Sequence, residues 1–155
     1  MKLHHYKIKH AQKVANYTLT EEQLRFTGSP QESVMLAAED LDRKPILAFE
    51  GEALVTFLVL HLKTGAAVYS NNPNAALIRA FSTDFYQQGK GYAKEVLNIL
   101  PSYVKQHYPE VNELVLAVNE KNRPAQHLYA KCHFKDTGRR YEGPKGPQIV
   151  MSLKI

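Results

Sequence analysis

The stretch Gln88-Gly89-Lys90-Gly91-Tyr92-Ala93 sets two glycines between a run that reads as a strand and a run that reads as an amphipathic helix, and that junction constrains the fold more than any other part of the chain. Upstream, Ala75 to Thr83 is mostly apolar and strand-like, while downstream Ala93, Val96, Leu97, Leu100 and Val104 recur at helical spacing. The first N–H groups of a helix have no partner within it and lie at the positive end of its dipole. Gly89 and Gly91 carry no Cβ to hold an anion away from those amides, and they permit the positive φ that a tight strand-to-helix turn often needs. Lys90 adds positive charge nearby. Such a turn is a seat for a phosphate or a pyrophosphate. Taken alone, a short glycine turn is equally well a plain structural turn, so a second segment has to decide.

That segment runs from Asn119 to Phe134 and follows the strand-like Leu114-Val115-Leu116-Ala117-Val118. With both in view the chain resembles the GCN5-related N-acetyltransferase (GNAT) superfamily. Gln88, Gly91 and Ala93 fit the family's pyrophosphate-binding pattern, and Asn122, Ala125, Leu128 and Tyr129 fit its second pattern, in the same order and with a strand between them. The resemblance covers residues 45–155 well and the first 44 only loosely, and that end often shapes the acceptor pocket in the family. One departure is visible: His133 stands where the family usually has Gly before Phe134, which puts the local helix exit in question.

The resemblance implies an α/β (α+β) fold, a mixed and mostly antiparallel central sheet of about six or seven strands flanked by about four helices, with a parallel, splayed strand pair at the cofactor site. It implies acetyl-coenzyme A as cofactor and direct attack by a primary amine within a ternary complex, with no acyl-enzyme. Gln88, Gly89, Lys90, Gly91, Tyr92 and Ala93 then hold the pyrophosphate. Phe81, Ser82 and Thr83 offer backbone to the pantetheine arm, and Asn122 holds its middle. Tyr129 donates a proton to the departing thiolate. Read from the residues alone, Tyr129 is a core or rim aromatic beside the helical stripe Ala125, Leu128 and Cys132, and Asn122 is a helix cap.

The general base stays open. Some branches of the family carry a glutamate early on the strand before the glycine turn, and this chain has Ala75 and Ala76 there. Asp84, Glu50, Glu52 and a water relay are the alternatives, each acid being equally an ordinary turn or surface residue. The acceptor is a small-molecule or peptide amine of unidentified structure, its pocket drawn from residues 16–42 and 63–74, and a homodimer is compatible with the sequence. The rival to an enzyme is a non-catalytic acyl-coenzyme A-binding regulatory module, which keeps the glycine turn but has no need of Tyr129 in working geometry.

Composition narrows the classes further. A chain of 155 residues is enough for one domain, residues 1–155, and too short for two ordinary ones. It contains no apolar run of the roughly 18 residues a membrane-spanning helix needs, and its start has no apolar core of an export signal. The single cysteine, Cys132, excludes an internal disulfide and fits a reducing cytoplasm; on an apolar helix face it reads as a small buried hydrophobe. Seven histidines show no metal-ligand spacing, so no metal site is expected. The net charge of +5 arises entirely after residue 120, where eight basic residues face two acidic ones. These are solvated side chains or a steering field for a polyanion. No basic helix, zinc spacing or aromatic stacking signature supports nucleic-acid binding. A third glycine for a dinucleotide fold and the Gly-Lys-Ser/Thr of a P-loop are both missing.

Elsewhere, Tyr6 to Lys9 reads as a first strand, and Thr20 as the cap of a short helix with an acidic first turn. Gly28-Ser29-Pro30 breaks that helix. Ser33 to Leu41 reads as another, offering Val34, Leu36, Ala37, Ala38 and Leu41 for burial. Residues 45–49 and 53–60 read as a hairpin buried on both faces, residues 64–74 as mostly loop, and residues 136–141 and 148–153 as two closing strands. Pro101 falls inside the helix after the glycine turn, which predicts a kink near Leu97 to Pro101 or a new helix starting at Pro101.

Overall fold

A computed structural model describes the whole chain, Met1–Ile155. Seven strands form one sheet: β1 (Lys2–His5), β2 (Arg43–Glu50), β3 (Ala53–His61), β4 (Ala75–Thr83), β5 (Glu113–Asn119), β6 (Lys135–Gly143) and β7 (Gly146–Lys154). They lie in the order β1-β2-β3-β4-β5-β7-β6, antiparallel throughout except for the parallel pair β4 and β5. This is the anticipated mixed, mostly antiparallel sheet. Six helices accompany it rather than about four: α1 (Ala11–Ala15), α2 (Glu21–Leu24), α3 (Pro30–Glu39), α4 (Thr64–Ala67), α5 (Tyr92–His107) and α6 (Arg123–Lys131). The surplus comes from very short helices, α2 and α4 having four residues each.

β3 shows why the sheet is covered on both faces. Every residue from Leu54 to His61 is buried. Leu58 and Leu60 turn to a core that also holds Val96, Leu97 and Leu100 of α5 and Leu114 of β5. Phe57 and Val59 turn the other way, onto Leu47, Leu54 and Val14 of α1, with Tyr17 and Val34 packed at the edge. The near-continuous apolar runs of the hairpin are therefore the requirement of a two-sided sheet.

Three readings of the sequence need correction, and one of the two alternatives at Pro101 falls away. The first strand is Lys2–His5, not Tyr6 to Lys9. His10 bonds back to Lys7 through both its backbone N–H (2.8 Å) and its Nδ1 (2.9 Å), which closes Ile8–His10 into a 3-10 turn. Residues 64–74 contain the helical turn α4. α3 starts at Pro30, capped by Ser29, whose hydroxyl accepts from the Glu32 N–H at 3.2 Å. It lays Pro30, Ser33, Val34 and Ala37 toward the protein, leaving Leu36 and Ala38 exposed, and Leu41, 79% exposed, falls past its end. Finally, α5 does not restart at Pro101. It is one element through that residue. Burial of Val96, Leu97, Leu100 and Val104 at 0–2% exposure holds it together, against the roughly 3 kcal/mol that an interior proline costs.

The exit of α6 resolves the departure at His133. The His133 N–H donates to the Ala130 carbonyl and the Phe134 N–H to the Tyr129 carbonyl, at 3.1 and 3.0 Å. The Tyr129 and Phe134 rings lie 6.0 Å apart. These are the paired bonds and the apolar contact of a Schellman cap, whose first residue past the helix is left-handed. His133 adopts φ of +74°, so the geometry that favours glycine is kept without one. His133→Gly is expected to stabilise the protein by about 0.5–1 kcal/mol in urea unfolding; a loss of stability would contradict this account of the cap.

Candidate active site

The parallel pair is short. Ala75, Ala76 and Leu77 of β4 pair with Glu113, Leu114 and Val115 of β5, and there the pairing stops although both strands continue. Beyond it the strands part, and a cavity of about 820 Å³ opens between them. Its walls are Ile78 to Thr83 on one side and Leu116 to Asn119 on the other. β4 is irregular here as well. Val59 faces Arg79 and Phe57 faces Ser82, so Ala80 and Phe81 together oppose Leu58 in a bulge, with Ala80 at φ of +52°. A bulge withdraws a residue from the ladder and re-aims its backbone, and bulges recur beside active sites.

The starts of two helices border the same cavity. At α5, Gly91 is the N-cap at φ of +80° with no side-chain cap, and the first intrahelical bond runs from the Glu95 N–H to the Gly91 carbonyl at 3.1 Å. The N–H groups of Tyr92, Ala93 and Lys94 thus have no partner in the helix, and all three residues line the cavity. Gly89, at φ of +77°, lies two residues earlier. A Cβ on either glycine would meet nothing within 4 Å, so the demand for glycine is conformational rather than steric. At α6, Asn122 is the N-cap, its Oδ1 accepting from the Ala125 N–H at 3.3 Å. Asn122 is thus a helix cap, and it lines the cavity as well.

Tyr129 lines the cavity with its ring 6.2 Å from that of Phe81. Burial pushes its phenol well above the ordinary tyrosine range, so it stays protonated through neutral and mildly alkaline pH. The cavity therefore gathers Phe81, Ser82, Thr83, Gln88, Gly89, Gly91, Tyr92, Ala93, Asn122 and Tyr129. Lys90 is not among its walls; its Nζ donates to Gln87 Oε1 at 2.9 Å on the exposed side of the turn. Cys132 is buried and its thiol is pushed up by burial, the opposite of an activated nucleophile.

None of the three acids considered as base points into the cavity. Asp84 spends both carboxylate oxygens bracing loops, accepting from the Thr18 N–H at 2.7 Å and the Tyr86 N–H at 3.0 Å. Glu50 and Glu52 flank the β2–β3 turn, with Glu50 3.4 Å from the amino terminus. The carboxylate that does line the cavity is Glu22 on α2.

The amino-terminal segment supplies residues that the sequence did not reveal. Tyr17 Oη donates to the Ser82 carbonyl at 2.7 Å, and Gln23 Nε2 donates to the Thr83 carbonyl at 2.8 Å. These bonds tie α1 and α2 to the free end of β4. Gln23 also completes a reciprocal capping box with Thr20, and that pattern was the one visible hint that this helix has a fixed position.

A splayed parallel pair, a bulged strand and a helix start with free amides define the class, and comparison with known proteins agrees. Residues 12–134 match the family model of the acetyltransferase (GNAT) family. The chain belongs to that family and is an acyltransferase of its type. Over 147 residues it is 40% identical to the uncharacterized N-acetyltransferase YbbJ of Bacillus subtilis (strain 168), covering 94% of this chain and 92% of that protein. The fold is shared with the aminoglycoside acetyltransferase AAC(6')-Ib in complex with coenzyme A, at 16% identity and a TM-score of 0.78 over 98% of this chain and 93% of the other. It is also shared with spermidine N-acetyltransferase from Vibrio cholerae in complex with coenzyme A and spermine, at 16% identity and a TM-score of 0.74 over 99% and 94%.

Because the glycine turn is conformationally demanding in the empty protein, Gly91→Ala is expected to cost about 1–2 kcal/mol of stability even though no atom blocks the new methyl group. Chemical denaturation measures this, and an unchanged midpoint would show that the turn does not need its left-handed cap.

Proposed function

We propose that this protein transfers the acetyl group of acetyl-coenzyme A to a primary amine by direct attack, with Tyr129 as the proton donor to the leaving thiolate. The observation that carries the reading is the convergence of the α5 helix start, the unpaired run of β4 and the Tyr129 phenol on one cavity. Acetyl-coenzyme A supplies an activated thioester and a diphosphate whose charge suits free helix amides.

In this reading the N–H groups of Tyr92, Ala93 and Lys94, with Gln88, Gly89 and Gly91 shaping the turn, hold the diphosphate. Phe81, Ser82 and Thr83 offer main-chain bonds to the pantetheine arm, and Asn122 meets it from the other wall. A main-chain N–H freed by the bulge of β4 stabilises negative charge as it develops on the thioester oxygen. The attacking amine loses its proton to water or to Glu22, the carboxylate that lines the cavity, since Asp84, Glu50 and Glu52 are engaged or outside it. Tyr129 donates to sulfur as the carbon–sulfur bond breaks, and the thiol leaves neutral. The acceptors in the similar structures, an aminoglycoside such as kanamycin in one case and spermine in another, are amines. An amine acceptor is the natural extension to this chain.

Two outcomes test the reading. Tyr129→Phe is expected to lower kcat by about 100-fold while the Kd for coenzyme A moves by less than about threefold. Equal losses in both would remove the acid role, and binding without turnover on any amine would leave a cofactor-binding module. The pH profile gives the second. The acid form of a phenol whose pKa is raised is present at every pH below that value, so kcat/KM should rise as the amine deprotonates and show no fall below about pH 10. A falling limb between pH 7 and 9 would point to a different acid.

A further inference from the structure

A second cavity of about 350 Å³ shares Ile78, Arg79, Ala80, Ala117 and Asn119 with the first, so the two meet where β4 and β5 part. If the thioester enters from one side, the amine has this side to approach from. The charge of that approach is lopsided: Arg43, Arg79 and Lys145 line it against a single carboxylate, Glu32. Two of the cations are already engaged. Arg43 Nε lies 3.3 Å from Asp40 Oδ2, and Lys145 Nζ donates to the Leu24 carbonyl at 2.9 Å. Arg79 is different. No carboxylate pairs with it, and among the protein's hydrogen bonds its guanidinium makes one, from Nη1 to His61 Nδ1 at 3.2 Å.

That single bond is a fixed one. His61 is buried at the end of β3, and its Nε2 lies 3.3 Å from Asp40 Oδ2. A guanidinium only donates, so Nδ1 must accept, and the imidazole proton of the neutral ring sits on Nε2 facing the aspartate. Gly65 of α4 closes over the ring, and a Cβ there would overlap it. The ring is therefore confined between Arg79 and Gly65, with Asp40 nearby but not hydrogen-bonded to it, and it holds one arm of the Arg79 fork while four donors remain for another group. Tyr69 and Tyr141, edge to face at 5.0 Å, form an aromatic wall of the same cavity.

We infer that Arg79, held by His61, is the receptor for a carboxylate on the acceptor, and that the acceptor is a small amino acid rather than a neutral amine or a polycation. A guanidinium reads a carboxylate with two parallel bonds, a geometry that a neutral or cationic group cannot return. An unpaired arginine on the approach route also repels an acceptor carrying several positive charges. The inference rests on the transfer reading given above, and its test separates the two.

The assay is acetylation of the common α-amino acids and of β-alanine, γ-aminobutyrate and ε-aminocaproate, each beside its amide, with spermine as the polycation and dipeptides bearing an amino-terminal Asp or Glu as the peptide source. Wild-type protein should have a lower KM for a carboxylate-bearing amine than for its amide. Arg79→Gln should raise that KM roughly 10- to 100-fold and erase the preference, the range expected for lost hydrogen bonds to a charged group. Arg79→Lys should restore part of it, and His61→Ala should raise KM more than it lowers kcat. Preference for the dipeptides places the carboxylate on a peptide and overturns the free amino acid. Preference for amides or spermine, or an equal loss on both partners of a pair in Arg79→Gln, overturns the inference while acetyl transfer stands. Turnover on no amine counts against the transfer itself. The receptor is then read by calorimetry in the presence of coenzyme A, where heat from the amino acid and none from its amide supports it and equal binding of both overturns it.

Discussion

Two neighbouring strands that bond for three residue pairs and then separate set the conditions for everything else in this molecule. Buried backbone N–H and C=O groups must find partners, and a strand that leaves its neighbour gives up a ladder of them. On its other edge β4 stays paired with β3 up to Thr83, and its free end accepts from Tyr17 and Gln23. β5 stays paired along its whole length with β7. The gap is thus held open from both sides by bonded neighbours, and its walls are main chain that is rigid and partly unspent.

The helices are placed to use that gap. α5 is anchored to the sheet through Val96, Leu97, Leu100 and Val104, which fixes where its first turn lies. α6 is anchored by Cys132 and Phe134 just past its end, and its Schellman cap fastens the Tyr129 carbonyl to Phe134. Packing far from the cavity thereby determines the position of free amides and a phenol at the cavity. The same fold is kept at 16% identity with the aminoglycoside and spermidine acetyltransferases. On the second cavity the determinants are side chains: Arg79 bonds His61, whose ring lies beside Asp40.

The parts of the fold that periodicity controls were legible in the sequence. Ala75 to Thr83 is a strand with those bounds, and the stripe of α5 is buried as its spacing requires. The parts governed by long-range bonds were not. A continuous α5 at Pro101 depends on how deeply its neighbours are buried, and the placing of the first strand at Lys2–His5 depends on its pairing with Ile46 to Phe49 of β2. At the site, motif spacing brought out the glycine turn, Asn122 and Tyr129. Tyr17 and Gln23 act across 65 and 60 positions and leave no local pattern. Arg79 did leave one, as the lone charge in an apolar strand; the meaning of that charge required His61 and the shape of the second cavity.

The structure of the complex with coenzyme A measures the central claim most directly. The account predicts diphosphate oxygens within hydrogen-bond distance of the Tyr92, Ala93 and Lys94 N–H groups, the pantetheine arm along Phe81 to Thr83, and the sulfur within reach of the Tyr129 hydroxyl. A diphosphate bound away from the start of α5, or a sulfur that the phenol cannot approach, would contradict it.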